Sequence, residues 1–138
     1  MKHALKILAA AVSMSLAVLT PASAAPEEET VSNAYLHLDG AMDEWASAPA
    51  LRLPSSYHGG HLDSWNNSVI YDDALVIIAY ANRKDNADSL DRAKTMGDAF
   101  LQMQAKDPIG DGRVRNSYGP ENLFDADGVP NILGTGSA

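Results

Sequence analysis

Residues 74–81, Ala-Leu-Val-Ile-Ile-Ala-Tyr-Ala, carry no polar side chain except the hydroxyl of Tyr80. A chain that holds such a segment must cover it on every side, which limits the folds open to it. A buried strand and a buried helix are both compatible with the composition. Ala74, Ala79 and Ala81 favour the helix. So do Asp72 and Asp73 before the run and Arg83 and Lys84 after it, because acids at the start and bases at the end complement the helix dipole. The pattern predicts a helix over about residues 71–83.

A second helix is expected directly after it. Asp88 or Ser89 can cap its start. Leu90, Ala93, Met96 or Gly97, Phe100 and Met103 or Gln104 recur at three- and four-residue spacing, while Asp91, Lys94, Asp98, Gln102 and Lys106 fill the opposite face. Asp107-Pro108 stops it, since the residue before a proline avoids the helical region. The short connection makes the two helices antiparallel neighbours, an αα-hairpin.

Before this hairpin the chain reads as a targeting segment followed by a solvated one. Residues 1–24 have a basic start with Lys2 and Lys6, an apolar run from Ile7 to Leu19, and Ala22-Ser23-Ala24 after Pro21. That is the order of a secretory signal, and the apolar run is short for a membrane anchor. No Arg-Arg pair points to the twin-arginine route, and no cysteine follows the apolar run for a lipid anchor. Cleavage after Ala24 leaves 114 of the 138 residues and removes two of the ten basic residues and none of the eighteen acids, so the mature net charge is −10. Such an acidic chain argues against nucleic acid and anionic membrane as partners. The expected location is the periplasm or the cell exterior. Without cysteine the exported chain has no disulfide framework and depends on an ordinary core.

Residues 25–40, which open with Pro26 and three glutamates, are expected to form a flexible leader. Within it Ala34-Tyr35-Leu36-His37-Leu38 alternates like a short strand, and Asp43 can begin a turn or two of helix. Residues 54–67 are turn-rich, with Gly59-Gly60 and Asn66-Asn67. From Pro108 onward six glycines and three prolines read as loop throughout, an unusually long irregular run for a compact domain. The remaining core candidates, Trp45, Leu51, Leu53, Trp65 and Ile70, are too few to enclose the apolar helix. Either copies of the chain associate through it, or further helices cover it.

The motifs have an order of their own. Ser56-Tyr57 and Gly59-Gly60 precede Tyr71-Asp72-Asp73-Ala74-Leu75. Gly97-Asp98-Ala99 lies in the second helix, and Asp111-Gly112-Arg113-Val114-Arg115-Asn116-Ser117-Tyr118 follows. This order resembles the opening of bacterial secreted proteins of the six-hairpin glycosidase type, over residues 41–138. Asp73 departs from the pattern, standing where that family usually has Asn. The resemblance implies an all-α fold: an αα-hairpin with long irregular flanks, part of an (α/α)6 toroid of alternating inner and outer helices. It implies action on poly- or oligosaccharides, and that residues 41–138 are the N-terminal portion of an incomplete domain, a fragment or a truncated gene product unlikely to be active alone.

Asp72 and Asp73 are the candidate catalytic pair. Glycoside hydrolysis uses two carboxyl groups, one as acid and one as base or nucleophile. The structural alternative is dipole complementation at a helix start. Arg113, Arg115 and Tyr118 are candidate substrate-binding residues, because arginine forks suit polar ligands and tyrosine stacks on sugar rings; internal ion pairs with Asp107, Asp111, Glu121 and Asp125 are the alternative. Tyr57, Trp65 and Tyr71 complete the candidate sugar-binding set. His58 and His61 lack a nearby third ligand, and the Asp125–Gly128 turn lacks the glutamate of a calcium loop, so neither metal nor cofactor is expected. The functional expectation is an exported glycosidase-like protein of carbohydrate processing; the alternative is a small exported helical binding or structural protein that self-associates.

Overall fold

The computed structural model describes residues 25–46, 51–57, 61 and 65–137. The secretory leader, His58 and the Gly59-Gly60 turn lie outside the described residues. Three helices, α1 (Ala25–Asp43), α2 (Ile70–Asn82) and α3 (Ala87–Ala105), are joined by a small antiparallel sheet of β1 (Ser68–Val69), β2 (Arg115–Tyr118) and β3 (Ile132–Ser137). The sheet order is β1-β2-β3. The described chain is therefore mainly helical with a three-stranded sheet, not all-α.

The hairpin follows from local signals. Val69 leaves β1 extended and α2 starts at the next residue, with Asp72 and Asp73 in its first turn. Four residues connect α2 to α3. Asn86 caps α3, its side-chain oxygen accepting from the Ser89 backbone N–H at 3.1 Å. The cap is thus Asn86, not Asp88 or Ser89, because Ser89 occupies the third helical position whose N–H a cap satisfies. The buried stripe of α3 runs Ser89, Ala93, Met96, Ala99 and Met103, and packs on Ile70 and Tyr80 of α2. Leu90 lies outside this stripe and is exposed.

Two expectations are corrected here. Residues 25–40 are not a flexible leader but most of α1. Glu27 and Glu28 sit in its first turn, where they complement the helix dipole. Tyr35, Leu38, Asp39 and Met42 recur at three- and four-residue spacing and face the domain, while Leu36 is exposed. The apparent strand alternation is a by-product of that helical period. Nor is the segment after Pro108 loop throughout. Gly110 and Gly112, both at positive φ, turn the chain into β2. β2 then pairs Ser68↔Tyr118 on one side and Tyr118↔Ile132 on the other. Ser117 lies opposite Gly134, where an added Cβ would come within 2.6 Å of the Ser117 Oγ. Short polar strands paired across about fifty residues leave no periodic trace in the sequence.

The core gathers Met42 from α1, Leu53, Ile70 and Tyr80, the α3 stripe, Tyr118 and Leu123. The cover over α2 is incomplete. Val76 and Ile77 pack on the core, but Leu75 is 50% and Ile78 57% exposed, and Tyr71 on the same stripe is exposed too.

Candidate functional site

The first turn of α2 buries a carboxyl group. Asp73 is 1% exposed. Ser68, on β1, donates its hydroxyl to Asp73 Oδ2 at 2.7 Å. Asp73 Oδ1 is buried without a hydrogen-bond partner in the described structure. Burial pushes the carboxyl up to about 7; the Ser68 hydrogen bond opposes this, and the charge of Asp72 adds to it. A carboxyl of this kind holds a proton near neutral pH, as a general acid must.

Asp73 lines a cavity of about 310 Å³. Its walls are α1 at His37, Leu38 and Ala41, the extended segment 54–56, and α2 at Asp72 and Asp73. The middle wall is pinned to the sheet: Ser56 N–H donates to the Asn67 carbonyl at 2.9 Å, and Ser56 Oγ accepts from Val69 N–H at 2.8 Å. Val69 is the α2 N-cap and makes no side-chain cap, so neither aspartate is consumed in capping. The two candidate catalytic carboxyls therefore share one cavity.

The candidate sugar-binding residues are dispersed. Arg115 is buried, and its guanidinium bonds both Asp107 and Asp111, with Nε 3.0 Å from Asp107 Oδ2 and Nη2 2.6 Å from Asp111 Oδ1. These bonds hold both carboxyls below the usual range and raise the guanidinium further above its own. Tyr118 is fully buried, and its hydroxyl accepts from the Arg115 backbone N–H at 2.8 Å. Arg115 and Tyr118, expected among the substrate-binding residues, are thus both enclosed: they build the turn between α3 and β2, and Arg115 makes the internal pairs that were the alternative. Arg113 is exposed on this turn, its N–H bonded to Asp111 Oδ1 at 3.1 Å. Tyr57 and Trp65 meet edge to face, 5.8 Å between centroids, with Trp65 exposed. Tyr71 lies two positions from Asp73, about 200° round the helix, and so points away from the cavity.

Among the described residues no three His, Asp or Glu side chains converge to hold a metal ion. Asp125 Oδ1 accepts from the N–H groups of Asp127 and Val129, which makes its loop a plain turn. A wider, open groove of about 760 Å³ lies between the start of α1 and the α2–α3 connection. Its Arg83 is paired to Asp39 at 2.7 Å, and no buried carboxyl faces it. Sequence reasoning missed Ser68, Ser56 and His37. Ser68 had one usable signal: a hydroxyl just ahead of an acidic helix start.

No family model, curated protein or solved structure matches the chain.

Proposed function

We propose that the chain is the first part of an exported six-hairpin glycosidase-like toroid of carbohydrate processing, with Asp73, standing where that family usually has Asn, as a proton donor particular to this chain and Asp72 as the second carboxyl of the same cavity. The observation that carries this reading is the buried Asp73 carboxyl, held protonated to about pH 7 beside a second carboxyl at a cavity wall. Glycoside hydrolysis uses one carboxyl kept neutral to protonate the leaving oxygen and a second carboxyl as base or nucleophile. The α2–α3 hairpin suits an inner and outer helix pair. The uncovered stripe Tyr71, Leu75 and Ile78 offers α2 a face for the neighbour that a ring would place there. The exposed Trp65 against Tyr57 offers a stacking surface for a sugar ring.

The purified chain alone is expected to show no turnover, because one hairpin does not wall a toroid's cleft. The test is to translate the reading frame beyond Ala138 and assay its whole product on a polysaccharide panel. Further amphipathic hairpins and a turnover lost in Asp73→Asn support the proposal; a continuation without helical periodicity sinks it. A second reading, a small exported helical protein that self-associates, would use the same uncovered stripe. Sedimentation of residues 25–138 with and without Leu75→Glu and Ile78→Glu tests it: an association that these substitutions abolish supports it, and a monomer in both cases removes it.

A further inference from the structure

The helix α1 meets the domain through two kinds of contact. Near its end Met42 is fully buried and Ala41 nearly so, whereas residues 27–34 are exposed on every side. Above this anchor lies a polar latch. Arg83 Nη1 bonds Asp39 Oδ2 at 2.7 Å, and Arg92 bonds both oxygens of Asp43 at 2.8 and 2.9 Å, with its Nε 3.6 Å from Asp39. Tyr35 donates its hydroxyl to the Ala79 carbonyl at 3.0 Å, with the Arg83 guanidinium 4.4 Å from its ring centre. Each of these bonds ties α1 to the hairpin. The same helix supplies His37, Leu38 and Ala41 to the wall of the Asp73 cavity. Most of the core, Ile70, Tyr80, the α3 stripe and Tyr118, comes from the hairpin and sheet, and Met42 is the fully buried side chain that α1 adds to it.

We infer that α1 is a salt-labile lid, seated over the Asp73 cavity by its ion pairs and able to lift as a unit while the hairpin and sheet stay folded. Sub-global openings of this sort need less free energy than global unfolding and occur where few apolar contacts hold an element. The latch pairs are partly exposed, so added salt screens them. The lid's purpose, admitting a sugar to the cavity, rests on the function proposed above; its existence does not.

Thiol labelling reads the motion directly, because the chain has no cysteine of its own. Ala41→Cys places one thiol in the cavity wall, and Met103→Cys places one in the buried stripe of α3. The exported chain carrying either is treated with iodoacetamide at about 0.05 M and about 1 M NaCl. Screening three partly exposed pairs raises the Ala41→Cys rate roughly tenfold and leaves the Met103→Cys rate unchanged. Adding Asp39→Asn and Asp43→Asn makes Ala41→Cys fast at low salt and removes the salt effect, with Met103→Cys still slow in that background. Equal rates at the two positions, or an Ala41→Cys rate indifferent to salt, overturn the lid. Should the paired substitutions unfold the chain, Met103→Cys shows it, and the salt series on the parent decides. An inactive full-length product would sink the glycosidase reading and leave this result standing.

Discussion

Replacing Asp73 by Asn should change how stability depends on pH, in a window that no other shifted group among the described residues occupies. The carboxyl moves from its ordinary 3.8 to about 7 on folding. The folded state binds this proton more tightly than the unfolded chain does, so the contribution is fully present below about pH 4. It declines as pH rises, and is lost once pH passes about 7. A shift of about three units at about 1.4 kcal/mol each makes the loss about 4 kcal/mol. Small domains hold roughly 5–15 kcal/mol in total, so the slope is large enough to measure. Asp43, Asp107 and Asp111 shift the other way, held down by Arg92 and Arg115. Their contribution is present above about pH 4 and is lost as pH falls further, outside the Asp73 window.

The substituted asparagine keeps the shape, stays neutral, and still presents an oxygen to the Ser68 hydroxyl. Its amide hydrogens replace the acid proton at the unpartnered position, so the two side chains leave similar groups unsatisfied. Urea unfolding followed by circular dichroism should therefore show wild type losing about 4 kcal/mol between pH 4 and pH 8 and Asp73→Asn nearly flat. At pH 8 the variant should be the more stable by about 2–4 kcal/mol. Parallel curves for the two proteins, or a wild-type stability that rises from pH 4 to pH 7, would refute the buried-carboxyl argument.

Three further outcomes follow from other parts of the structure. Arg115→Met leaves Asp107, whose side chain is fully enclosed, without its cation; its melting temperature should fall well below that of Arg113→Met, and equal melting temperatures would show that the turn does not need the pair. Ala99→Leu, on the fully buried stripe of α3, overpacks the hairpin and should cost about 1–3 kcal/mol in denaturant unfolding, whereas Leu101→Ala on the exposed side should change it by less than about 0.5 kcal/mol. Mass spectrometry of the exported protein should show residues 1–24 removed; an intact N-terminus would contradict the secretory reading.

The hairpin was legible because its signals are local. Acids before residues 74–81, bases after them and the 3–4 spacing of Ala93, Met96 and Met103 all act within one or two turns. α1 was not legible, because its inward face is drawn with Tyr35, Leu38, Asp39 and Met42, two of them polar-tipped. Arg83 and Arg92, more than forty residues away, give Asp39 its reason to face in. The sheet was hidden because its pairing is not local: β1 and β2 meet across about fifty residues, and Ser117 is polar yet buried opposite Gly134; the pairs of Arg115 with the nearby Asp107 and Asp111 were visible as an alternative. At the site, the paired aspartates were visible as residues. What distinguishes Asp73 from Asp72, enclosure by Ser68 and by a helix about thirty residues upstream, was not.

The uncovered stripe of α2 bears on what completes this core. Fully burying Leu or Ile is worth roughly 1.5–3 kcal/mol. Leu75 and Ile78 are already about half covered, at 50% and 57% exposure. Covering what remains of both is thus worth on the order of 1.5–3 kcal/mol, with Tyr71 adding a similar amount. Association of separate chains costs at least about 4 kcal/mol in lost translational and rotational freedom, and stable interfaces bury more than about 1,000 Å². A symmetric pair buries the stripe of both copies, about 6–12 kcal/mol in all, which covers that minimum, but three partly exposed side chains per copy fall short of the area. A helix of the same polypeptide carries no such association cost and can use the stripe in full. The energetics therefore favour an intrachain neighbour over a second copy, and residues 25–138 should sediment as a monomer at micromolar concentration. A tight dimer there, broken by Leu75→Glu, would reverse the argument and favour self-association.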